Sequence, residues 1–131
     1  MTRVRILLAD DHKEMRDRVV RLLELERDFD VVGAVDDGAA LLEVEPKLQP
    51  DVCVVDISMT SVCGIEAANS LKARGSNAKI VFLTVQGDPD FVRAAMDAGA
   101  LGYVLKSRMV SDLSAAIKGA MAGRQFISDL N

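Results

Sequence analysis

Polar side chains that could do chemistry follow apolar runs at four places in the chain. They are Asp10 with Asp11, Asp56, Thr84 and Lys106. Three carboxylates close together repel one another, which raises a pKa or recruits a cation. Carboxylate oxygens suit Mg²⁺, which is usually held by one or two carboxylates plus phosphate oxygens. A lysine and a hydroxyl beside such an ion suit phosphoryl transfer, and a carboxylate can itself be the nucleophile.

Asp56 has the clearest setting of these residues. It follows Val52–Val55, an unbroken apolar run that is typical of a strand buried on both faces of a parallel sheet. Ligands of such sheets bind outside the carboxyl ends of the strands, where the strand order reverses. The alternative is that Asp56 is only a strand-ending turn residue or a helix cap. The ends of the other strands therefore decide between the two interpretations.

The rest of the sequence alternates short apolar runs with amphipathic segments. Strands are predicted over Val4–Ala9, Asp30–Val35, Val52–Val55, Lys79–Leu83 and Gly102–Leu105. Helices are predicted over His12–Glu26, from Ala39 to an end or kink near Pro46, over Gly64–Ala73, from Asp88-Pro89 to Gly99, and from a Ser111 cap to Gly123. This alternation predicts an α/β fold: a doubly wound, five-stranded parallel sheet of flavodoxin-like order 2-1-3-4-5 with helices on both faces.

The strand order separates two acidic pairs that composition cannot distinguish. Strands one, three, four and five are contiguous in this order, so the polar residues that end them share one rim of the sheet. Asp36-Asp37 ends strand two, at the edge of the sheet and away from the switch point. We therefore interpret Asp36-Asp37 as a turn and helix cap.

Composition limits the possible classes of protein. The 131 residues are 50% hydrophobic and 27% charged, which is typical of one globular domain. The net charge of -4 argues against direct nucleic-acid binding, because phosphate backbones need clustered lysine and arginine. No apolar run is long enough to span a membrane, and no signal peptide is evident. The two cysteines, Cys53 and Cys63, form no CxxC motif and indicate free thiols in a reducing cytoplasm.

The chain resembles the receiver domain of two-component response regulators over essentially its whole length. The motifs that carry the resemblance are ILLADDH, VCVVDIS, IVFLT and GYVLK, in family order and at family-like spacing. The tail LSAAIKGAMAGRQFIS is most similar to the subgroup whose receivers precede a LuxR-type helix-turn-helix. The resemblance implies one receiver domain over residues 1–131 and no output domain within them.

The resemblance also implies the members of an acidic site. Asp56 falls on the phosphoacceptor. Asp11 falls on the Mg²⁺-ligating acid, and Asp10 on a partner that acts largely through a metal-bound water. Asp56 would be a further ligand, and Ser58 would offer its backbone carbonyl and help to tune the reaction. From the residues alone, the neighbouring His12 could touch the metal, but we expect it to be solvated at the start of its helix.

Thr84 and Lys106 fall on the family's phosphoryl-binding residues, and Tyr103 falls on its switch aromatic. A phosphoryl group adds a charge of about -1.5 to -2, so Thr84 could move toward it and vacate space for Tyr103 to turn inward. The alternative for Tyr103 is a half-buried ring with its hydroxyl in water. Val85 and Gln86 fall at positions that tune access to the phosphate and its lifetime.

Three positions depart from the family pattern. Thr60 stands where proline is usual, and Cys63 stands where an acid is common, so the loop after strand three need not be as rigid as in the family. Ser107 replaces the proline that often follows the lysine, so no cis-proline bond is expected there.

The leading hypothesis is a signalling module that accepts a phosphoryl group on Asp56 and controls an output such as transcription. It would not be an enzyme on other substrates, although it would assist its own phosphorylation and dephosphorylation. A phosphorylation-independent interaction module on the same fold is one alternative. A small Mg²⁺-dependent aspartyl phosphatase is another, but it would need an acid two residues after the nucleophile, where this chain has His12 or Ser58.

The expected partners follow from the leading hypothesis. A sensor histidine kinase would be the phosphodonor. A homodimer could form through the fourth helix, fifth strand and fifth helix, or through another helical face. These residues should not bind DNA or membrane directly, although a C-terminal domain outside them could bind DNA.

Overall fold

A computed structural model describes residues 3–130. The strands are β1 (Val4–Ala9), β2 (Phe29–Val35), β3 (Val52–Val55), β4 (Lys79–Thr84), β5 (Gly102–Leu105) and β6 (Phe126–Ile127). The helices are α1 (Lys13–Glu24), α2 (Gly38–Leu48), α3 (Gly64–Ala73), α4 (Pro89–Asp97) and α5 (Met109–Met121), with a 3-10 turn over Lys106–Arg108. No helix in this part of the chain is both long enough and apolar enough to cross a membrane.

The strands form one parallel sheet of order β2-β1-β3-β4-β5-β6. The predicted order of the first five strands is confirmed, but the prediction of five strands was one short. The additional strand, β6, pairs Phe126 with Gly102 and Ile127 with Tyr103. A strand of two residues is too short to show a periodicity that a sequence pattern could reveal.

The core lies on both faces of the sheet. One apolar cluster packs β1, β3, β4 and β5 against α1 and α5, and a second packs the opposite faces of these strands against α2, α3 and α4. All four residues of β3 are at most 1% exposed, with Val52 and Val54 in the first cluster and Cys53 and Val55 in the second. This two-sided burial is why the β3 sequence is apolar without alternation.

The helix α2, for which the sequence predicts an end or a kink near Pro46, continues two residues past this proline and ends at Leu48. Pro46 cannot donate a hydrogen bond to the carbonyl of Leu42, one helical turn earlier. The guanidinium of Arg74 donates to that carbonyl at 2.7 Å instead. A partner from the end of α3 therefore replaces the missing bond, and α2 continues to Leu48.

The sequence signals for helix starts had mixed outcomes. Asp37 accepts from the Ala40 amide at 2.7 Å, which confirms the cap assigned to the second acidic pair. Asp88 accepts from the Asp90 amide, and α4 begins at Pro89, also as predicted. Ser111 does not cap α5, because the helix begins two residues earlier, at Met109, as a continuation of the 3-10 turn.

Candidate functional site

The carboxyl ends of β1, β3 and β5 bring three charged side chains together at one rim of the sheet. Lys106 Nζ lies 2.9 Å from Asp10 Oδ2 and 3.1 Å from Asp56 Oδ2. The three side chains are nearly inaccessible, with exposed fractions of 8% for Lys106, 1% for Asp10 and 4% for Asp56. Residues separated by up to 96 positions in the chain thus form one buried ionic cluster.

The backbone around Asp56 depends on a close approach of α3. Gly64 begins this helix, and its amide donates to the Ile57 carbonyl at 2.8 Å. A Cβ at position 64 would lie only 2.2 Å from the Asp56 carbonyl oxygen and 2.9 Å from Ile57 Cα. Glycine is therefore required for steric reasons at this position, because backbone atoms cannot move aside as a flexible side chain can.

The site contains carboxylate oxygens that receive no hydrogen bond. Asp10 Oδ2 and Asp11 Oδ1 are buried atoms of this kind; the first has only its ion pair with Lys106. Oxygen or nitrogen atoms of Asp10, Asp11, His12 and Asp56 all lie within 4.8 Å of one another. Buried carboxylate oxygens without donors are costly unless a cation compensates them. The donor set therefore fits a metal ion.

Burial and charge act in opposite directions on Asp56 and Lys106. Burial raises the pKa of the Asp56 carboxyl, and the Lys106 ammonium offsets this effect only in part. Burial also opposes the charge on Lys106, but its bonds to Asp10 and Asp56 outweigh burial and raise the pKa of the ammonium. Lys106 therefore stays charged, and the Asp56 carboxyl holds its proton more tightly than a surface aspartate does.

A chain of hydrogen bonds connects the end of β4 to Tyr103. Thr84 is fully buried, and its hydroxyl oxygen accepts from the Gln86 amide at 3.1 Å. The Gln86 carbonyl in turn accepts from the Tyr103 hydroxyl at 2.5 Å. The Tyr103 side chain is 0% exposed, so its hydroxyl does not face water as the alternative interpretation required. Burial, with a smaller effect of the Asp88 charge, raises the pKa of Tyr103 to about 12.

The remaining predicted residues lie around this centre. The Ser58 amide donates to Asp56 Oδ1 at 3.2 Å, while the Ser58 side chain is exposed. Val85 is 71% exposed beside the rim, in a groove that also includes Met15 and Lys106. The roles assigned to these two residues and to Thr84 stay predictions.

The sequence analysis missed a buried polar connection between α5 and β6. The Ser128 hydroxyl donates to Asp112 Oδ2 at 2.7 Å and accepts from the Leu105 amide at 3.2 Å. The Ser128 amide also donates to the Tyr103 carbonyl at 2.8 Å. Ser128 therefore binds both ends of the strand segment that precedes Lys106. No sequence signal marks it, because its partners become neighbours only in the folded sheet.

Comparisons with known proteins agree with this geometry. Residues 6–118 match the family model described as the response regulator receiver domain. The nitrate/nitrite response regulator protein NarP of Escherichia coli is 35% identical over 128 residues, which cover 98% of this chain and 60% of NarP. The transcriptional regulatory protein DegU of Brevibacillus brevis is 34% identical over 95% of this chain and 53% of DegU. The chain thus spans little more than half the length of these regulators.

Solved structures extend the similarity to three dimensions. A LuxR-family two-component response regulator from Aurantimonas has a TM-score of 0.92 at 32% identity, covering 97% of this chain and 91% of that one. The isolated receiver domain of RcsB from Salmonella enterica, solved with the phosphomimetic BeF3-, has a TM-score of 0.89 at 28% identity, covering 98% and 96%. The family model matches the sequence from β1 to α5, and the structure brings the acidic residues together at one rim of the sheet. The chain therefore belongs to the response regulator receiver domain family.

Proposed function

We propose that this receiver accepts a phosphoryl group on Asp56 from a phosphohistidine of a sensor histidine kinase. The observation that carries the proposal is the buried contact of Asp56 with Lys106, beside acidic oxygens that lack hydrogen bonds. A nucleophilic carboxylate, a fixed ammonium and a place for a cation are the parts that phosphoryl transfer to an aspartate needs.

We also propose that the cation is Mg²⁺. Asp10, Asp11, Asp56 and the backbone carbonyl of Ser58 would hold it, with Asp10 acting largely through water. Bound there, Mg²⁺ would neutralise charge on the phosphoryl oxygens. The oxygen-rich donor set supports this choice, because Mg²⁺ prefers carboxylate, carbonyl and water ligands.

In the proposed transfer, an Asp56 carboxylate oxygen attacks phosphorus and forms a P–O bond. The P–N bond of the donor breaks, and the imidazole nitrogen keeps the electron pair. The Lys106 ammonium, already 3.1 Å from Asp56 Oδ2, stabilises the developing negative charge. Thr84, at the end of the neighbouring strand β4, offers its hydroxyl to another phosphoryl oxygen. Hydrolysis by water would return the free Asp56, so the chain assists reactions on itself alone.

The switch in this proposal runs through Gln86. When Thr84 turns toward the phosphoryl group, its bond to the Gln86 amide is lost or redirected, and the Gln86 carbonyl moves with the loop. Tyr103 bonds to that carbonyl from a fully buried position. Phosphorylation would therefore weaken or strengthen the hydrogen bond that holds the buried Tyr103 ring. It would not move the ring from water into the protein, because the ring is already buried. Packed interfaces of this kind favour two discrete states.

The proposal includes partners beyond the kinase. RcsB, which this chain resembles at 28% identity, has been solved as a complex with DNA, and the chain covers 65% of that protein. We propose that these 131 residues are the receiver of a transcriptional regulator and that DNA contacts belong to residues outside them. Buried, free Cys53 suits a reducing cytoplasm.

A homodimer is also part of the proposal. Leu25 and Val110 are 80% and 78% exposed beside a groove between α1 and α5. Exposed apolar side chains around a groove favour this helical face over the α4–β5–α5 face. Sedimentation of the protein with and without phosphodonor tests it: Leu25→Glu should abolish a phosphorylation-dependent dimer.

Intact mass measurement tests the phosphoacceptor. The protein is incubated with Mg²⁺ and acetyl phosphate, and the wild type should gain one base-labile phosphoryl group. Asp56→Asn should gain none. Asp36→Asn is the matched control, because Asp36 is an exposed acid that ends the edge strand, and it should behave as the wild type. Turnover of unrelated phosphomonoesters would support a phosphatase instead, and no modification by any donor would support a phosphorylation-independent module.

A further inference from the structure

His12 lies directly before α1 and beside the acidic cluster. Its Nδ1 atom is 2.9 Å from Asp11 Oδ1 and 3.5 Å from Asp10 Oδ1. The His12 amide donates to Asp10 Oδ1 at 2.8 Å, which fixes the backbone that carries the imidazole. The ring is 70% exposed, so the expectation of a solvated histidine is confirmed, but the nitrogen faces the carboxylates.

The contact between His12 and Asp11 is short without being a hydrogen bond. Asp11 Oδ1 is a buried atom with no hydrogen-bond partner despite the imidazole nitrogen 2.9 Å away. The side chain of Asp10 is 1% exposed, and its Oδ2 atom also receives no hydrogen bond. Two donor atoms on one octahedral ion with bonds of ~2.1 Å lie about 3.0 Å apart. The spacing of Asp11 Oδ1 and His12 Nδ1 is therefore that of two adjacent ligands of a common ion.

We propose that His12 is a further protein ligand of this centre and that it shifts the metal preference toward divalent transition ions. The inference rests on the cation site of the proposed function. Carboxylates and carbonyls alone suit Mg²⁺, whereas an imidazole nitrogen adds affinity for ions such as Co²⁺, Ni²⁺ and Zn²⁺. Mg²⁺ would bind the oxygen ligands without coordinating His12. The centre would therefore accept two classes of ion with different ligand sets.

Binding measurements on the whole chain with Co²⁺ and Mg²⁺ test the proposal. We expect His12→Ala to weaken Co²⁺ binding by at least about tenfold, as is typical when a metal site loses a supporting group. Mg²⁺ affinity should be unchanged. Lys13→Ala is the matched control, because Lys13 is the adjacent exposed residue and its ammonium pairs with Asp17 within α1. Asp11→Asn should weaken both ions. Equal Co²⁺ affinities of wild type and His12→Ala would overturn the proposal.

Proton NMR gives a second readout that a structural role would not affect. His12 is the single histidine of the chain, so its ring C–H signals are unambiguous. Zn²⁺, which is diamagnetic and so does not shift signals merely by being near them, should shift these signals through direct ligation, and Mg²⁺ should not. Absence of the Zn²⁺ shift would overturn the assignment.

The two proposals fail in different ways. If the wild type takes up no phosphoryl group while His12→Ala still weakens Co²⁺ binding, the proposed function fails and the ligand assignment stands. If Asp56 is phosphorylated with Mg²⁺ while Zn²⁺ leaves the imidazole signals in place, the ligand assignment fails alone.

Discussion

At the scale of single residues, the charge of Asp56 is opposed by burial and stabilised by Lys106. Asp56 must be buried to lie next to Lys106, and burial makes its charged form costly. The Lys106 ammonium supplies part of the compensation, and Asp10 competes for the same ammonium. A charged ligand that enters this site would therefore strongly change how Lys106 is shared between Asp10 and Asp56, because charges interact strongly where water is excluded.

Gly64 is the residue whose replacement should displace Asp56 most directly. Gly64→Ala places a methyl group against the Asp56 carbonyl, so we expect a loss of about 1–3 kcal/mol in the free energy of unfolding, typical of overpacking. Urea unfolding measures the loss, and phosphoryl uptake should fall with it. Gly87→Ala is the control, because its Cβ would meet nothing nearer than Leu105 Cδ2 at 3.9 Å. Equal stability of the two variants would contradict the steric argument.

Tyr103 provides a single-residue probe, because the chain has one tyrosine and no tryptophan. Its pKa is raised to about 12 by burial and by Asp88, so its phenolate absorbance should appear near that pH in the folded protein. In urea, the transition should return to ~10. Since the folded state holds the proton more tightly, the stability from this group is complete below pH ~10 and is lost as the pH rises toward 12. A folded-state transition near 10 would mean that the ring is solvated.

At the scale of elements, polar bonds of the adjacent Ser128 hold the end of β6, while Phe126 packs against the apolar core. Ser128 is 3% exposed and connects Asp112 of α5 with the backbone of β5. Asp112 also accepts from Ser111 at 2.9 Å and from Arg108 at 3.2 Å. Burial opposes the charge of Asp112, but these three donors outweigh it and lower the pKa of the carboxyl.

Asp112→Asn should therefore destabilise the protein in a pH-dependent way. A lowered folded-state pKa gives stability that is present above the unfolded value of ~3.9 and is lost as the pH falls through the folded value. The difference in unfolding free energy between wild type and variant should be greatest near neutrality and shrink in acid. Urea unfolding at several pH values measures it, and hydrogen exchange should show β6 amides less protected. Asp36→Asn serves as the comparison, because it removes an exposed acid at the opposite edge of the sheet. A difference independent of pH would refute the role of the Asp112 charge.

At the scale of the whole molecule, a cation should act as a folding ligand. An ion that binds only the folded state at about 100 times its Kd adds ~2.7 kcal/mol to the free energy of unfolding. We expect Mg²⁺ to raise the Tm of the wild type and of Asp36→Asn, and to leave that of Asp11→Asn nearly unchanged. An equal rise in all three would place the ion elsewhere.

Much of the fold was accessible from the sequence for one reason. Parallel strands are buried on both faces, so every residue of β3 is apolar. The carboxyl ends of parallel strands also lie at one edge of the sheet, so the residues that follow these strands meet there. This rule predicts from the sequence that Asp10, Asp56 and Lys106 lie at one edge of the sheet. It could not place contacts made by one long side chain, such as Arg74 on the Leu42 carbonyl, which carried α2 past Pro46. It also could not orient the His12 and Tyr103 rings, because side-chain rotamers depend on neighbours that are distant in sequence.

The direction of β6 has a mechanical consequence. Because this strand runs parallel to the others, Ser128 emerges at the same lip of the sheet as Asp56. Three inter-strand spacings of about 4.8 Å separate β3 from β6, roughly 14 Å in all. A group attached near Leu130 would thus stand close to Asp56, and a structural change at one of them would reach the other along the lip without crossing the interior of the protein.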